Sequence, residues 1–116
     1  MHEPDPTRLL QVHVDTEDPI PVLTATGEVD LVSAPVLERA LRHALEQAPR
    51  TVVLDLSQVT FFASVGIAVL ITATRSCPEP LRIVAPYPVR RPLEVTGVAE
   101  LFALCDSLDT ALTSTV

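Results

Sequence analysis

Hydrophobic and polar positions change period several times along the chain, and each change predicts an element. Residues 9–14 (Leu-Leu-Gln-Val-His-Val) alternate well enough for a strand, and residues 20–25 predict a second. The acidic, proline-containing stretch 15–19 reads as the loop between them, so the two form an antiparallel pair. Gly27-Glu28-Val29-Asp30 ends the second strand. Ser33-Ala34-Pro35 then supplies a capping hydroxyl and a proline in the first helical turn, where a missing N–H costs nothing. Val36, Leu37, Ala40, Leu41, Ala44 and Leu45 follow at helical spacing, with Glu38, Arg39, Arg42, His43 and Glu46 on the other face and Pro49 as the stop.

Residues 52–56 are a nearly continuous apolar run broken by Asp55, the pattern of a central strand. A short turn leads into a helix over 64–74, which ends before Cys77-Pro78-Glu79-Pro80. Residues 81–84 predict another strand, 89–95 a short helix with Arg90, Arg91 and Glu94 outward, and 101–104 a last strand or edge. Ser107 is placed to cap a C-terminal helix. Strands alternating with helices require right-handed crossovers and parallel neighbours. The expected fold is therefore α/β: one small domain with a mixed sheet, an antiparallel N-terminal pair followed by βαβαβ, and about four helices. Residues 1–7 are expected to form a flexible N-terminus and residues 8–116 the domain. Charged residues are absent between Asp55 and Arg75, close to the length of a membrane span. Ser57, Gln58, Thr60, Ser64, Gly66, Thr72 and Thr74 interrupt that span, and a strand followed by a core helix fits it better.

Composition narrows the function. With 116 residues, 47% of them hydrophobic, the chain can build one core without disulfides or metal. Fifteen acidic residues against eight arginines and no lysine give a net charge of −7, which argues against a nucleic-acid or anionic-membrane surface and favours protein partners with basic faces. Cys77 and Cys105 lack histidine neighbours at ligand spacing and read as reduced thiols, not as a disulfide or a zinc site. The start, Met1-His2-Glu3-Pro4-Asp5-Pro6, lacks the basic and apolar segments of a signal peptide, so a cytoplasmic location is expected. Neither a cofactor nor a metal is expected.

Ser64 is the candidate of most interest. A hydroxyl on the first turn of a helix faces backbone N–H groups without intrahelical partners and the positive end of the macrodipole, so a phosphate is tolerated there. Strand, turn, Ser64-Val65-Gly66 and helix also suggest a nucleophile elbow. Phe62 and Ala63 do not supply its leading glycine, all three histidines precede the serine, and the chain is too short for a hydrolase sheet, so an enzyme is not expected. His13 and His43 read as a strand residue and a solvated helix residue. Asp30 and Asp55 read as caps or loop hydrogen-bond acceptors before a carboxylate pair, and Arg90-Arg91 as the wet face of a short helix. Phe62, with Ala63 and Val65, is expected to form an apolar rim beside Ser64 that meets a partner. A place in the core is the alternative for Phe62 and the reading adopted for Phe61.

Four motifs, in this order and spacing, resemble the STAS family, and specifically its bacterial anti-sigma-factor antagonists. Gly27-Glu28-Val29-Asp30 is similar to G-E-[LV]-D, Val53-Leu54-Asp55-Leu56-Ser57 to V-L-D-L-S, and Phe61-Phe62-Ala63-Ser64-Val65-Gly66 to F-M-D-S-S-G. The run from Val89 through Thr96-Gly97-Val98 resembles the late V-x-R-x-L-x-L-T-G-L helix. The resemblance implies an anti-sigma-factor antagonist that binds an anti-sigma factor, itself a serine kinase, and releases sigma. It implies phosphorylation of Ser64 by that kinase, reversal by a metal-dependent serine phosphatase, and a partner surface of Glu28, Asp30, Phe62, Ala63, Ser64, Val65 and Gly66. Asp30 matches an acidic residue near the phosphoacceptor and is a candidate to orient the hydroxyl or touch the partner. Two departures fall on the motif: Ala63 stands where the family has Asp, and Val65 where a small or hydroxyl residue is common. Loss of the acidic neighbour removes a hydrogen-bond partner and a charge for a kinase to read. A second reading therefore stands beside the first, a STAS-like interaction module that is not phosphorylated and serves as a scaffold or a transport-complex subunit.

Overall fold

The structure, a computed structural model, describes residues 10–113. The flexible N-terminus expected over 1–7 lies outside these residues. The strands are β1 (Leu10–Asp15), β2 (Val22–Val29), β3 (Val53–Phe62), β4 (Arg82–Val84) and β5 (Ala103–Cys105). The helices are α1 (Ala34–Ala44), α2 (Ser64–Arg75), α3 (Tyr87–Val95) and α4 (Leu108–Thr113), with a 3-10 turn at Ala99–Leu101. The strands lie side by side in chain order, β1 antiparallel to β2 and every other pair parallel, which is the mixed sheet the sequence predicts.

Chain-order strands joined by right-handed crossovers place successive crossover helices on the same face of the sheet. Accordingly Leu37 and Leu41 of α1, Ile67 and Leu70 of α2, and Val89 and Leu93 of α3 share one core with Leu23, Leu54, Leu56 and Ile83. The last helix, α4, covers the other face, where Ala111 meets Val53, Val84 and Cys105. Both faces of β3 are thus covered at its start, which explains the unbroken Val52-Val53-Leu54 run. The Ser107 hydroxyl accepts the Thr110 N–H at 3.1 Å and caps α4 as its sequence position predicts. No helix among the described residues is long and apolar enough to cross a membrane.

The largest departure from the sequence-based expectation lies in β3, which runs on to Phe62 through the stretch read as a turn. Beyond Asp55 it pairs only with β2, whose own end extends to Val29. Two register shifts intervene, one between Thr24 and Thr26 and one between Gly27 and Glu28, and each places an extra residue on β3. Gly27 supports the second with φ of +123°, a conformation that side chains disfavour. The shifts turn simple alternation into a spacing of three, so that Leu56, Val59 and Phe62 are buried while Ser57, Gln58, Thr60 and Phe61 are exposed.

Candidate functional site

Ser64 opens α2 directly after β3, separated from it by Ala63 alone. Phe62 pairs with Val29 in the sheet, and the Ala63 N–H donates to the Val29 carbonyl at 2.8 Å, so α2 begins beside the end of β2. Gly66 makes this close approach possible. A Cβ at that position would lie 2.8 Å from both Phe62 Cζ and Val29 Cγ1, two side chains packed in the core. With Gly66 and Ile67 turned inward, Ser64 and Ala68, one helical turn apart, are left exposed. The N-cap residue Ala63 is extended (φ −83°, ψ 165°) and offers no side-chain hydrogen bond to the first turn. The first turn therefore has no side-chain cap, although the Gly66 N–H donates to the Ala63 carbonyl at 2.9 Å.

The neighbouring turn, from β2 into α1, is built by a reciprocal pair. Asp30 Oδ1 accepts the N–H groups of Val32 and Ser33, each at 2.9 Å, and Ser33 Oγ accepts the Asp30 N–H at 2.9 Å. The Ser33 hydroxyl in turn donates to the Glu28 carbonyl at 2.7 Å. This is the logic of a capping box with the acid first and the hydroxyl third after it. Hydrogen bonding, foremost with the Ser33 N–H, holds the Asp30 carboxyl below its ordinary value. Asp30 is thus an ionised cap at the rim of the site, with its Oδ1 engaged in the turn.

The turn fixes Leu31 and Val32 in solvent, 77% and 56% exposed, beside the strand end that carries Ser64. Phe61 is 50% exposed, whereas Phe62 is 4% exposed and belongs to the core. Phe62, expected in an apolar rim, is therefore core, and Phe61, expected in the core, is exposed, because the two register shifts together restore the original facing of the strand at Phe62. Gly66, also expected at the partner surface, is buried by the packing just described. Glu28 and Ser64 are exposed, and Ala63 and Val65 half-buried, so these four and Asp30 do gather at one end of the sheet. Leu31 and Val32 were not anticipated. Their signal is two apolar residues trapped between the members of a capping box, where neither can turn toward the core.

The family model described as "Mlab, STAS domain" matches residues 12–106. The anti-sigma-F factor antagonist RsfB of Mycobacterium tuberculosis is 34% identical over 107 residues, covering 90% of this chain and 88% of that one. The chain belongs to the STAS domain family. An anti-sigma factor antagonist from Mycobacterium paratuberculosis shares the structure of this STAS domain with a TM-score of 0.80 at 32% identity, over 90% and 92% of the two chains. SpoIIAA, an anti-sigma factor antagonist in its unphosphorylated form, superposes with a TM-score of 0.68 over 87% and 92% of the two chains, and at 17% identity it shows the common fold alone.

The STAS domain's departure at Ala63 acquires a structural meaning, since this is the N-cap of α2. An aspartate there would accept the Val65 or Gly66 N–H and sit at the positive end of the helix. Ala63→Asp is expected to raise stability by about 1 kcal/mol, read as a higher melting temperature. An unchanged melting temperature would show that the open first turn costs the fold nothing.

Proposed function

We propose that this STAS domain is a cytoplasmic anti-sigma-factor antagonist, acting by binding and not by catalysis. It docks on an anti-sigma factor that is also a serine kinase, releases the sigma factor, and is switched off when that kinase phosphorylates Ser64. A metal-dependent serine phosphatase would restore it. The observation that supports this reading is an exposed hydroxyl on an uncapped helix start, set among exposed Leu31, Val32 and Phe61. The apolar side chains offer area to bury against a partner at the same end of the sheet as the hydroxyl.

The switch follows from electrostatics. Phosphate adds about −1.5 to −2 charges, and a helix N-terminus offsets up to about 2 kcal/mol of their local cost. The free domain need not refold. At a packed interface the dianion loses its hydration, beside the exposed Glu28 and the ionised Asp30, and an uncompensated buried charge costs at least several kcal/mol. Blocking is therefore the favoured mechanism. Ala63, in place of an acidic neighbour, favours a second reading in which docking persists as a scaffold or transport-complex contact and Ser64 is never modified.

Mixing the domain with a preformed complex of its anti-sigma factor and sigma should free sigma stoichiometrically, seen by size-exclusion chromatography. A complex that stays intact at excess domain would remove the antagonist reading.

A further inference from the structure

A second candidate site lies at the other end of the sheet. Ser64 lies two residues beyond the last residue of β3, whereas Val53, the first, lines a cavity of about 700 Å³. Ten strand residues separate the two, roughly 30 Å. Asp18, Pro19 and Ile20 from the β1–β2 loop, Arg50, Arg82 and Leu112 line it with Val53 among the described residues. The volume falls in the range of small-molecule sites, and the wall has the usual makeup of such sites, mostly apolar with a few polar groups.

Arg82 is the unusual member. It sits on a central strand with its side chain only 6% exposed, although arginine is rarely buried without full pairing. One hydrogen bond is made, from Nη1 to the Ala111 carbonyl at 3.2 Å, which accounts for one of five donors. No fully buried polar side-chain atom among the described residues lacks a partner, so the remaining guanidinium nitrogens keep some accessible surface, on a residue that lines the cavity. Glu79 lies 3.6 Å from Arg82 Nη2 and 3.5 Å from Arg50 Nε. Both distances exceed those of charge-assisted hydrogen bonds. One carboxylate is thus attracted to both guanidinium groups, and with Arg82 Nη1 on the Ala111 carbonyl only part of each fork is left for a ligand.

We infer that the cavity bounded by Arg50, Arg82, Ile20, Val53 and Leu112 binds a small amphipathic carboxylate, its head on the two arginines and its chain along the apolar wall. A planar fork on Arg82 suits a carboxylate, and the aliphatic lining excludes a purely ionic ligand. Asp18 and Glu79 balance the charges of Arg50 and Arg82 around the cavity. The site is independent of the Ser64 surface.

The test is a titration of the whole domain with octanoate, followed by backbone amide NMR, with 1-octanol and inorganic phosphate as separate controls. Octanoate should shift the amides of Ile20, Val53 and Leu112 saturably and leave those of Ser64 and Val65 in place. Octanol and phosphate should each bind more weakly. Arg50→Gln, which alters a side chain 67% exposed, should weaken octanoate about tenfold with the melting temperature preserved. Leu112→Asp, at a position 49% exposed, should weaken it further by placing a like charge on the wall. Absence of saturable shifts at these amides, or equal affinity for octanol and octanoate, would overturn the proposal.

Discussion

Phe62→Ala is expected to destabilise the domain by about 3–5 kcal/mol, the range for emptying a buried aromatic site, while Phe61→Ala costs less than about 1 kcal/mol. The two residues are adjacent in sequence and opposite in consequence. Phe62 is almost fully buried against Val29 and the first turn of α2, so its loss leaves a cavity under the helix that carries Ser64. Against a typical total of about 5–15 kcal/mol, this is a large share of the stability. Phe61, half in solvent, is expected to contribute to docking instead. Truncating an exposed aromatic at an interface centre removes about 2 kcal/mol of binding, close to thirtyfold in affinity. Urea unfolding and calorimetric titration with the anti-sigma factor separate the effects. A folded Phe62→Ala variant of unchanged stability would contradict the packing, and a Phe61→Ala variant of unchanged affinity would remove Phe61 from the interface.

Phosphorylation of Ser64 is expected to weaken the complex about a thousandfold, corresponding to roughly 4 kcal/mol. Ser64→Glu carries about half the charge of a phosphoserine and is expected to weaken it about a hundredfold. Neither change is expected to unfold the domain, because the helix N-terminus favours negative charge and Ser64 is exposed. Ser64→Ala should bind as the unmodified domain does. A steric account would instead have Ser64→Gln as harmful as Ser64→Glu, so that pair of affinities distinguishes charge from bulk. Equal affinities of Ser64→Glu and Ser64→Ala would remove electrostatic blocking.

Most of the architecture is legible in the sequence because helix and strand periods differ and turns carry their own residues. The amphipathic α1, the apolar start of β3 and the Ser107 cap all fall where side-chain chemistry puts them. The far half of β3 is not legible, because two register shifts replace alternation with a spacing of three. The same shifts hide which phenylalanine faces inward. Ser64 itself is readable, since exposure at a first helical turn follows from the buried Gly66 and Ile67 behind it. Leu31 and Val32 are not, because their exposure depends on the Asp30–Ser33 pair, whose geometry is tertiary in origin: the Ser33 hydroxyl is anchored on the Glu28 carbonyl of the sheet. Likewise, the cavity at Arg82 joins residues from four separate parts of the chain.

Ser64 is proposed as a phosphate acceptor open to a kinase. Intact-mass analysis after incubation with the anti-sigma kinase and ATP tests it most directly. One added phosphate is expected on the wild-type chain, none on Ser64→Ala, and loss of kinase binding in step with the modification. A chain that binds the kinase yet gains no phosphate, or gains it equally in Ser64→Ala, would contradict it.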